Sequence, residues 1–307
     1  MNQQIAVIDL GTNTFHLLIV EINELSFSTV YRERKFIKLA ESGIQTIGEK
    51  AYQRALQAML GFHQKLQELQ INKVQAFGTA AMRTASNGPD FIKEVQERTG
   101  IQIVMIPGAR EASLIHKGVK LAVPFDLENK LIMDIGGGSV EFIIANQKEV
   151  AWACSFPIGV AVLYEKFHQN DPIHADEQAA LFHYLQTTLA PLQKALEKNP
   201  CQDLVGASGT FDVLEHMLVL EKPGPYHALI QVDQLGPVMQ RIIHSTQNER
   251  LEMADLPPQR ADLIVVALLL IDFILKLGKL QRIIVSAYAM KEGMIAELIE
   301  TSPSQST

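Results

Sequence analysis

The chain of 307 residues is 47% hydrophobic and 20% charged, the balance of a globular protein long enough for two cores. Its formal net charge of −7 argues against broad binding to nucleic acid or to an anionic membrane, so a polyanionic ligand has to be met by a local basic patch together with metal. Two cysteines, Cys154 and Cys201, exclude a disulfide framework and a thiolate zinc site, and the start lacks a basic and apolar leader, so the expected compartment is the cytoplasm.

Taken in chain order, Ile5 to Leu10 and Phe15 to Glu21 are predicted to pair as a β-hairpin around Gly11-Thr12-Asn13-Thr14. Phe27 to Leu39 reads as a third strand carrying Arg32, Arg34, Lys35 and Lys38. It is either a charged edge strand or a track for a polyanion. A helix from Gly48 to Leu69 is next, with Tyr52, Leu56, Met59, Leu66 and Leu69 on one stripe. The strand Val74 to Phe77 empties into Gly78-Thr79-Ala80-Ala81-Met82-Arg83, so Arg83 stands just beyond a strand's C-terminal end, where open α/β sheets place ligands. Asn87-Gly88-Pro89-Asp90 starts the next helix and Ile101 to Ile106 is the next strand. Pro107-Gly108-Ala109-Arg110-Glu111 then opens a helix. Glu111 in its first turn is a dipole or capping residue, or a side chain looking into a cleft.

Leu121 to Lys130, with Pro124, reads as a domain boundary, and the chain beyond it repeats the beginning. Leu131 to Ile144 is a second hairpin, turned by Gly136-Gly137-Gly138-Ser139 with Asp134 and Glu141 at its lips. Ile8 to Ile19 lies over Met133 to Ile144 without a gap, setting Asp9 on Asp134, Gly11 on Gly136, Thr14 on Ser139 and His16 on Glu141. The glycines permit φ > 0 and leave amides uncovered for an anionic oxygen, and the flanking carboxylates make phosphate with a divalent cation the better guest. Alternatively the glycines serve only a tight hairpin. Two such turns facing each other across a cleft form a phosphate clamp.

Val150 to Phe156 is a further strand, and the helix from Ala175 to Lys198 is expected to kink or break at Pro191. Asp203 to Gly206 empties into Ala207-Ser208-Gly209-Thr210 before a helix Phe211 to Leu220. This third turn is either an anion site or a close strand-to-helix approach needing small residues. Ala261 to Gly278 contains an uncharged run, Leu263 to Ile271, far shorter than the ~20 residues that span a bilayer, and is read as a core helix. A strand Arg282 to Val285, a helix Met290 to Ile299 and a polar tail Thr301 to Thr307 complete the chain. Phosphate-loop, dinucleotide, metalloprotease and nucleophile-elbow motifs are all missing. The expected fold is α/β in two duplicated domains, residues 1–124 and 125–307, leaving open whether the terminal helix packs back on the first.

Together Ile8 to His16, Gly78 to Arg83, Gly108 to Ala112, Asp134 to Glu141 and Gly206 to Thr210 resemble, in order and over essentially the whole chain, the exopolyphosphatase and guanosine pentaphosphate phosphohydrolase (Ppx/GppA) family of the sugar kinase, heat-shock chaperone and actin superfamily. The resemblance implies two ribonuclease-H-like, actin-like ATPase domains with the active site in the cleft between them. It also implies removal of a terminal phosphate, dependent on Mg²⁺ or alternatively Mn²⁺, from inorganic polyphosphate or from guanosine pentaphosphate. On this resemblance Glu111 positions and activates the attacking water and Arg83 contacts substrate phosphate. Asp134, Glu141 and Asp9 place the metal. Gly11, Thr12, Asn13 and Thr14, Gly136, Gly137, Gly138 and Ser139, and Gly209 with Thr210 are the phosphate loops. A short two-domain form and a homodimer are expected. Arg110 departs from the family pattern and puts a cation beside Glu111, leaving substrate preference open. A kinase of the same superfamily and a non-catalytic nucleotide sensor are the competing readings.

Overall fold

In the computed structural model, residues 3–23, 26–218 and 221–301 are described, so the predicted tail beyond Thr301 and the last two residues of the predicted helix Phe211 to Leu220 lie outside them. The chain divides into two compact units, Met1–Gly118 with Met290–Thr307, and Val119–Ala289. The first division lies a few residues before the expected boundary at 124, inside a helix, and the second sends the end of the chain back to the first unit.

The first unit runs β1 (Gln3–Leu10), β2 (Thr14–Asn23), β3 (Ser26–Phe36), α1 (Glu49–Glu68), β4 (Val74–Gly78), α2 (Ala80–Thr84), α3 (Gly88–Thr99), β5 (Ile103–Met105) and α4 (Gly108–Ala122). Its sheet has the order β3-β2-β1-β4-β5, antiparallel among the first three strands and parallel from β1 to β5. One face of β1 and β2, with Ala6, Ile8, Leu10, Phe15, Leu17 and Ile19, packs with the apolar stripe of α1 as a buried core. Such two-sided burial is why β1 reads as a continuous apolar run.

The second unit continues with β6 (Lys130–Ile135), β7 (Val140–Ala145), β8 (Val150–Phe156), α5 (Val160–Phe167), α6 (Ala175–Thr188), α7 (Ala190–Lys198), β9 (Asp203–Ala207), α8 (Gly209–Met217), β10 (Glu221–Gly224), β11 (His227–Gln231), α9 (Leu235–Ile243), α10 (Gln247–Glu252), α11 (Ile264–Gly278) and β12 (Arg282–Ser286). Its sheet order is β10-β11-β12-β9-β6-β7-β8. Within it β8-β7-β6-β9-β12 repeats β3-β2-β1-β4-β5 in order and strand direction. The duplication read from two short hairpins therefore extends to the sheets. The hairpin β10–β11, which adds two strands beyond β12, is not anticipated by the sequence reading, because Lys222-Pro223-Gly224-Pro225 looks like a loop.

Pro191 acts as expected. The helix breaks at Leu189, and the proline falls in the first turn of α7, where its missing N–H costs nothing. In α11 every residue from Ile264 to Ile271 is buried. No helix among the described residues is long and apolar enough to cross a membrane. The last helix, α12 (Met290–Thr301), packs on β1 and β2, with Met294 and Ile295 fully buried. It meets α4 so closely that a Cβ on Gly293 would stand 1.8 Å from the carbonyl oxygen of Leu114.

Candidate functional site

In the first unit the exits of β4 and β5 converge. The amide of Thr79 donates to the carbonyl of Leu10 at 3.2 Å and the amide of Ile106 to that of Gly78 at 3.1 Å, fixing the exit of β4 against the end of β1 and the exit of β5 against the end of β4. Beyond the end of β4, Ala80 to Thr84 form the short helix α2, with Arg83 in its last turn. From there Nη1 of Arg83 donates to the carbonyl of Ile106 at 2.5 Å and to Oε2 of Glu111 at 3.3 Å. Glu111 is buried in the first turn of α4, while the Arg83 side chain keeps 27% of its surface exposed. Both bonds come from Nη1, so the Nε–Nη2 edge of the guanidinium, the one suited to bidentate phosphate contact, is directed elsewhere.

Arg110 does not share this site. Its guanidinium forks onto both carboxylate oxygens of Glu297 on α12, one contact at 2.7 Å. The expectation of an added cation beside the water site is therefore corrected: the cation beside Glu111 is Arg83, and Arg110 belongs to a clasp between α4 and α12. Hydrogen bonding from Arg110 holds the Glu297 carboxyl below its usual range against the opposing effect of burial.

The glycine turns are shaped by what takes their carbonyls. In the second unit the amides of Gly159, Val160 and Ala161, at the start of α5, donate to the carbonyls of Gly138, Gly136 and Gly137 at 3.2, 3.0 and 2.9 Å. A trans peptide sets its N–H opposite its C=O, so the amides of Gly137, Gly138 and Ser139 are turned away from α5, the arrangement of an anion nest. In the first unit the chain after β3 does the same service. The amide of Leu39 donates to Thr12, and those of Ile37 and Lys38 to Asn13, which turns the amides of Asn13 and Thr14 the other way. The need for glycine is one of space, not of φ > 0 as expected. A Cβ on Gly136 would stand 2.8 Å from the carbonyl of Ser139, and one on Gly11 2.9 Å from that of Thr14, whereas the positive-φ glycines among the described residues are Gly43 and Gly100.

The side chains beside these turns form matching rows of opposite character. In the second unit Asp134 pairs across to Glu141 and Glu141 to Ser155, whose Oγ donates to Oε1 of Glu141 at 2.6 Å. Both carboxylates are buried. In the first unit the equivalent row is Asp9, His16 and Arg34, with Thr14 Oγ1 3.0 Å from His16 Nε2. The strand β3 is thereby sorted. Arg32 and Arg34 alternate onto the face shared with His16, while Lys35 pairs with Glu33 at 2.7 Å.

At the third turn the close strand-to-helix approach is seen directly. Gly206 serves packing, since a Cβ there would stand 2.1 Å from the Phe211 ring. Ser208 takes a positive φ of 74°, an uncommon conformation for serine, and its Oγ donates to the carbonyl of Ile135 at 3.1 Å, so its hydroxyl ties this turn to the end of β6 rather than facing an anion. Thr210 is buried. At Gly209 a Cβ would stand 1.7 Å from Nη2 of Arg260, so a guanidinium lies directly on the glycine backbone. The presence of Arg260 at this turn is something the sequence reading missed. The only sequence signal is a cation in Pro257-Pro258-Gln259-Arg260, far from the turn along the chain.

For a metal, the donor set is hard: Asp134 and Glu141 side by side on adjacent strands, and Asp9 at the matching position of the first unit. Among the described residues no group of three or more His, Cys, Asp or Glu side chains is gathered to form a cage. Hard carboxylate oxygens on adjacent strands suit an ion of the Mg²⁺ type, which takes one or two carboxylates and completes its shell with water and substrate phosphate.

Residues 18–302 match the Ppx/GppA phosphatase family. A guanosine-5'-triphosphate,3'-diphosphate pyrophosphatase from Photobacterium profundum is 26% identical over 297 residues, 96% of this chain and 59% of that protein, so the chain spans about three fifths of this curated relative. The crystal structure of an exopolyphosphatase from Cytophaga hutchinsonii is 38% identical with a TM-score of 0.92, covering 97% of this chain and 98% of that one. The Aquifex aeolicus Ppx/GppA family member, at 22% identity, has the same fold, with a TM-score of 0.80 over 98% of this chain and 100% of the other. With a family match over nearly its whole length and a close structural relative aligned end to end, the chain belongs to the Ppx/GppA phosphatase family.

Proposed function

We propose that the chain is an exopolyphosphatase, removing the terminal phosphate of inorganic polyphosphate by attack of water with the help of a divalent metal ion. The observation that carries this reading is the Arg83–Glu111 pair, a buried carboxylate fixed by an arginine that is itself pinned to the Ile106 carbonyl. Hydrolysis of a phosphoanhydride asks mainly for in-line placement and charge neutralisation. Glu111 orients the water and accepts its proton as the oxygen bonds to phosphorus. The bridging P–O bond breaks, and its electron pair leaves with the shortened chain. The Nε–Nη2 edge of Arg83 holds oxygens of the transferred phosphate, and the amides of Asn13, Thr14, Gly137, Gly138 and Ser139 with Arg260 hold those of the substrate. Asp134 with Glu141, or Asp9 at the matching position of the first unit, would hold Mg²⁺ or Mn²⁺, which would supply neutralisation of phosphate charge.

Polyphosphate is preferred because the 38% identical exopolyphosphatase matches the chain from end to end. Guanosine pentaphosphate is the second reading, favoured by the Photobacterium relative. The test is phosphate release from long polyphosphate, tripolyphosphate, guanosine pentaphosphate and ATP, with Mg²⁺ and after exhaustive chelation. Release from polyphosphate that chelation abolishes is the expected result. Preference for guanosine pentaphosphate would establish the second reading, undiminished release after chelation would remove the metal, and no release from any substrate would leave a non-catalytic sensor.

A further inference from the structure

In the second unit one arginine is almost wholly enclosed. Arg250 on α10 is 1% exposed, although its side chain is the largest fully buried one among the described residues. Its Nε donates to the carbonyl of Ala261 at 2.7 Å, its Nη2 to Oδ1 of Asp171 at 2.9 Å, and its Nη1 to the carbonyl of Ser245. Asp171 is held from the other side by the amide of Gln247 at the start of α10. Three separate loops, after α5, after α9 and before α11, are thus drawn onto one guanidinium.

The first of these bonds bears on the anion turn. Ala261 is the residue after Arg260, and Arg260 closes a 3-10 turn, Pro258 to Arg260, by donating its amide to the carbonyl of Pro257 at 2.8 Å. With the turn closed on one side and the Ala261 carbonyl held on the other, the Arg260 backbone has little freedom. Its guanidinium is set where Gly209 leaves no room for a Cβ. Burying an arginine is costly, and an apolar side chain of similar volume is often the better stabiliser, so a buried guanidinium with three directed bonds points to a need for geometry.

We propose that Arg250 is a positioning residue for substrate phosphate, acting through Arg260: by fixing the peptide after Arg260 it holds that guanidinium on the Gly209 turn. The inference rests on the phosphatase reading and adds to it a residue that touches no substrate. The experiment is a double-mutant cycle on the full chain, with Arg250→Lys, Arg260→Ala and the double variant, reading KM and kcat for tripolyphosphate beside the thermal midpoint. Lysine keeps the charge and one bond but not the fork. In the parent background Arg250→Lys is expected to raise KM at least about tenfold with kcat within about twofold. In the Arg260→Ala background it is expected to leave KM within about twofold while lowering the midpoint by the same amount as in the parent, since only the stabilising role survives there. A KM effect of equal size in both backgrounds, or no KM effect in the parent, would overturn the inference. If Arg250→Lys gives no cooperative melt, Asp171→Asn, at a half-exposed partner, takes its place in the same cycle and is read by the same two outcomes. A parent that releases no phosphate overturns the phosphatase reading itself, a result distinct from either of these.

Discussion

A glutamate in the first turn of a helix has an ordinary structural use, worth roughly 0.3–1 kcal/mol against the dipole. Glu111 is placed otherwise, buried and bonded to Arg83 from a neighbouring strand exit. Glu111→Gln keeps the size and one acceptor oxygen. It is therefore expected to lower phosphate release at least about a hundredfold, with a shift of only a few degrees in thermal midpoint. Near-parental release would return Glu111 to the dipole role. Both members of this pair are legible in the sequence, because each comes after a short apolar run at a strand end, where side chains meet ligands. Arg260 and Arg250 are not legible. Their place comes from tertiary contacts between segments far apart in the chain, and a lone arginine in a proline-rich loop reads as solvated. Arg110 misleads for the same reason: adjacency in sequence puts it beside Glu111, but the helix turn carries its side chain toward α12.

At the scale of elements, the clasp between α4 and α12 gives a pH signature. The hydrogen-bonded Arg110 guanidinium holds the Glu297 carboxyl below the usual range of a glutamate. A carboxyl depressed in the folded state adds stability above its unfolded pKa, and that stability is lost as pH falls through the folded value. Glu297→Gln should therefore melt below the parent at pH 7, and the gap should close as pH is lowered from about 5 toward about 3. A gap that stays constant over this range would assign the loss to packing. The strands of both units other than β10 and β11 are legible because apolar runs carry their pattern, whereas β10 and β11 are short and carry Pro223 and Gly224, and Pro191 marks the helix break without ambiguity. The helix α5 is missed although Pro157-Ile158-Gly159 precedes it, because eight residues give too few turns for a clear period. That omission matters for function, since the first amides of α5 are what orient the glycine turn. The nest is legible as a motif, but what orients it is not.

For the whole molecule, the repeated order β3-β2-β1-β4-β5 and β8-β7-β6-β9-β12 says that one sheet plan was used twice, with the side-chain rows made Asp9–His16–Arg34 in one copy and Asp134–Glu141–Ser155 in the other. The first copy is not contiguous in the chain. Its sheet is finished by α12, whose Met294 and Ile295 are fully buried. A chain ending at Ala289 is therefore expected to lose hydrogen-exchange protection in β1, β2 and α4 while β6, β9 and α11 keep theirs. Equal protection in both units would show that α12 is dispensable. The same return of the chain inverts the usual order of events during synthesis. Domains generally fold as they emerge, N-terminal first, at roughly 5–20 residues per second. Here the unit that is begun first is completed last, so while the whole of the second unit is being made, on the order of ten to thirty seconds at that rate, a face of the first sheet stands uncovered on the ribosome. The nascent chain therefore has a window of exposure that the finished molecule conceals, and its dependence on a chaperone would be set by the time taken to translate its other half.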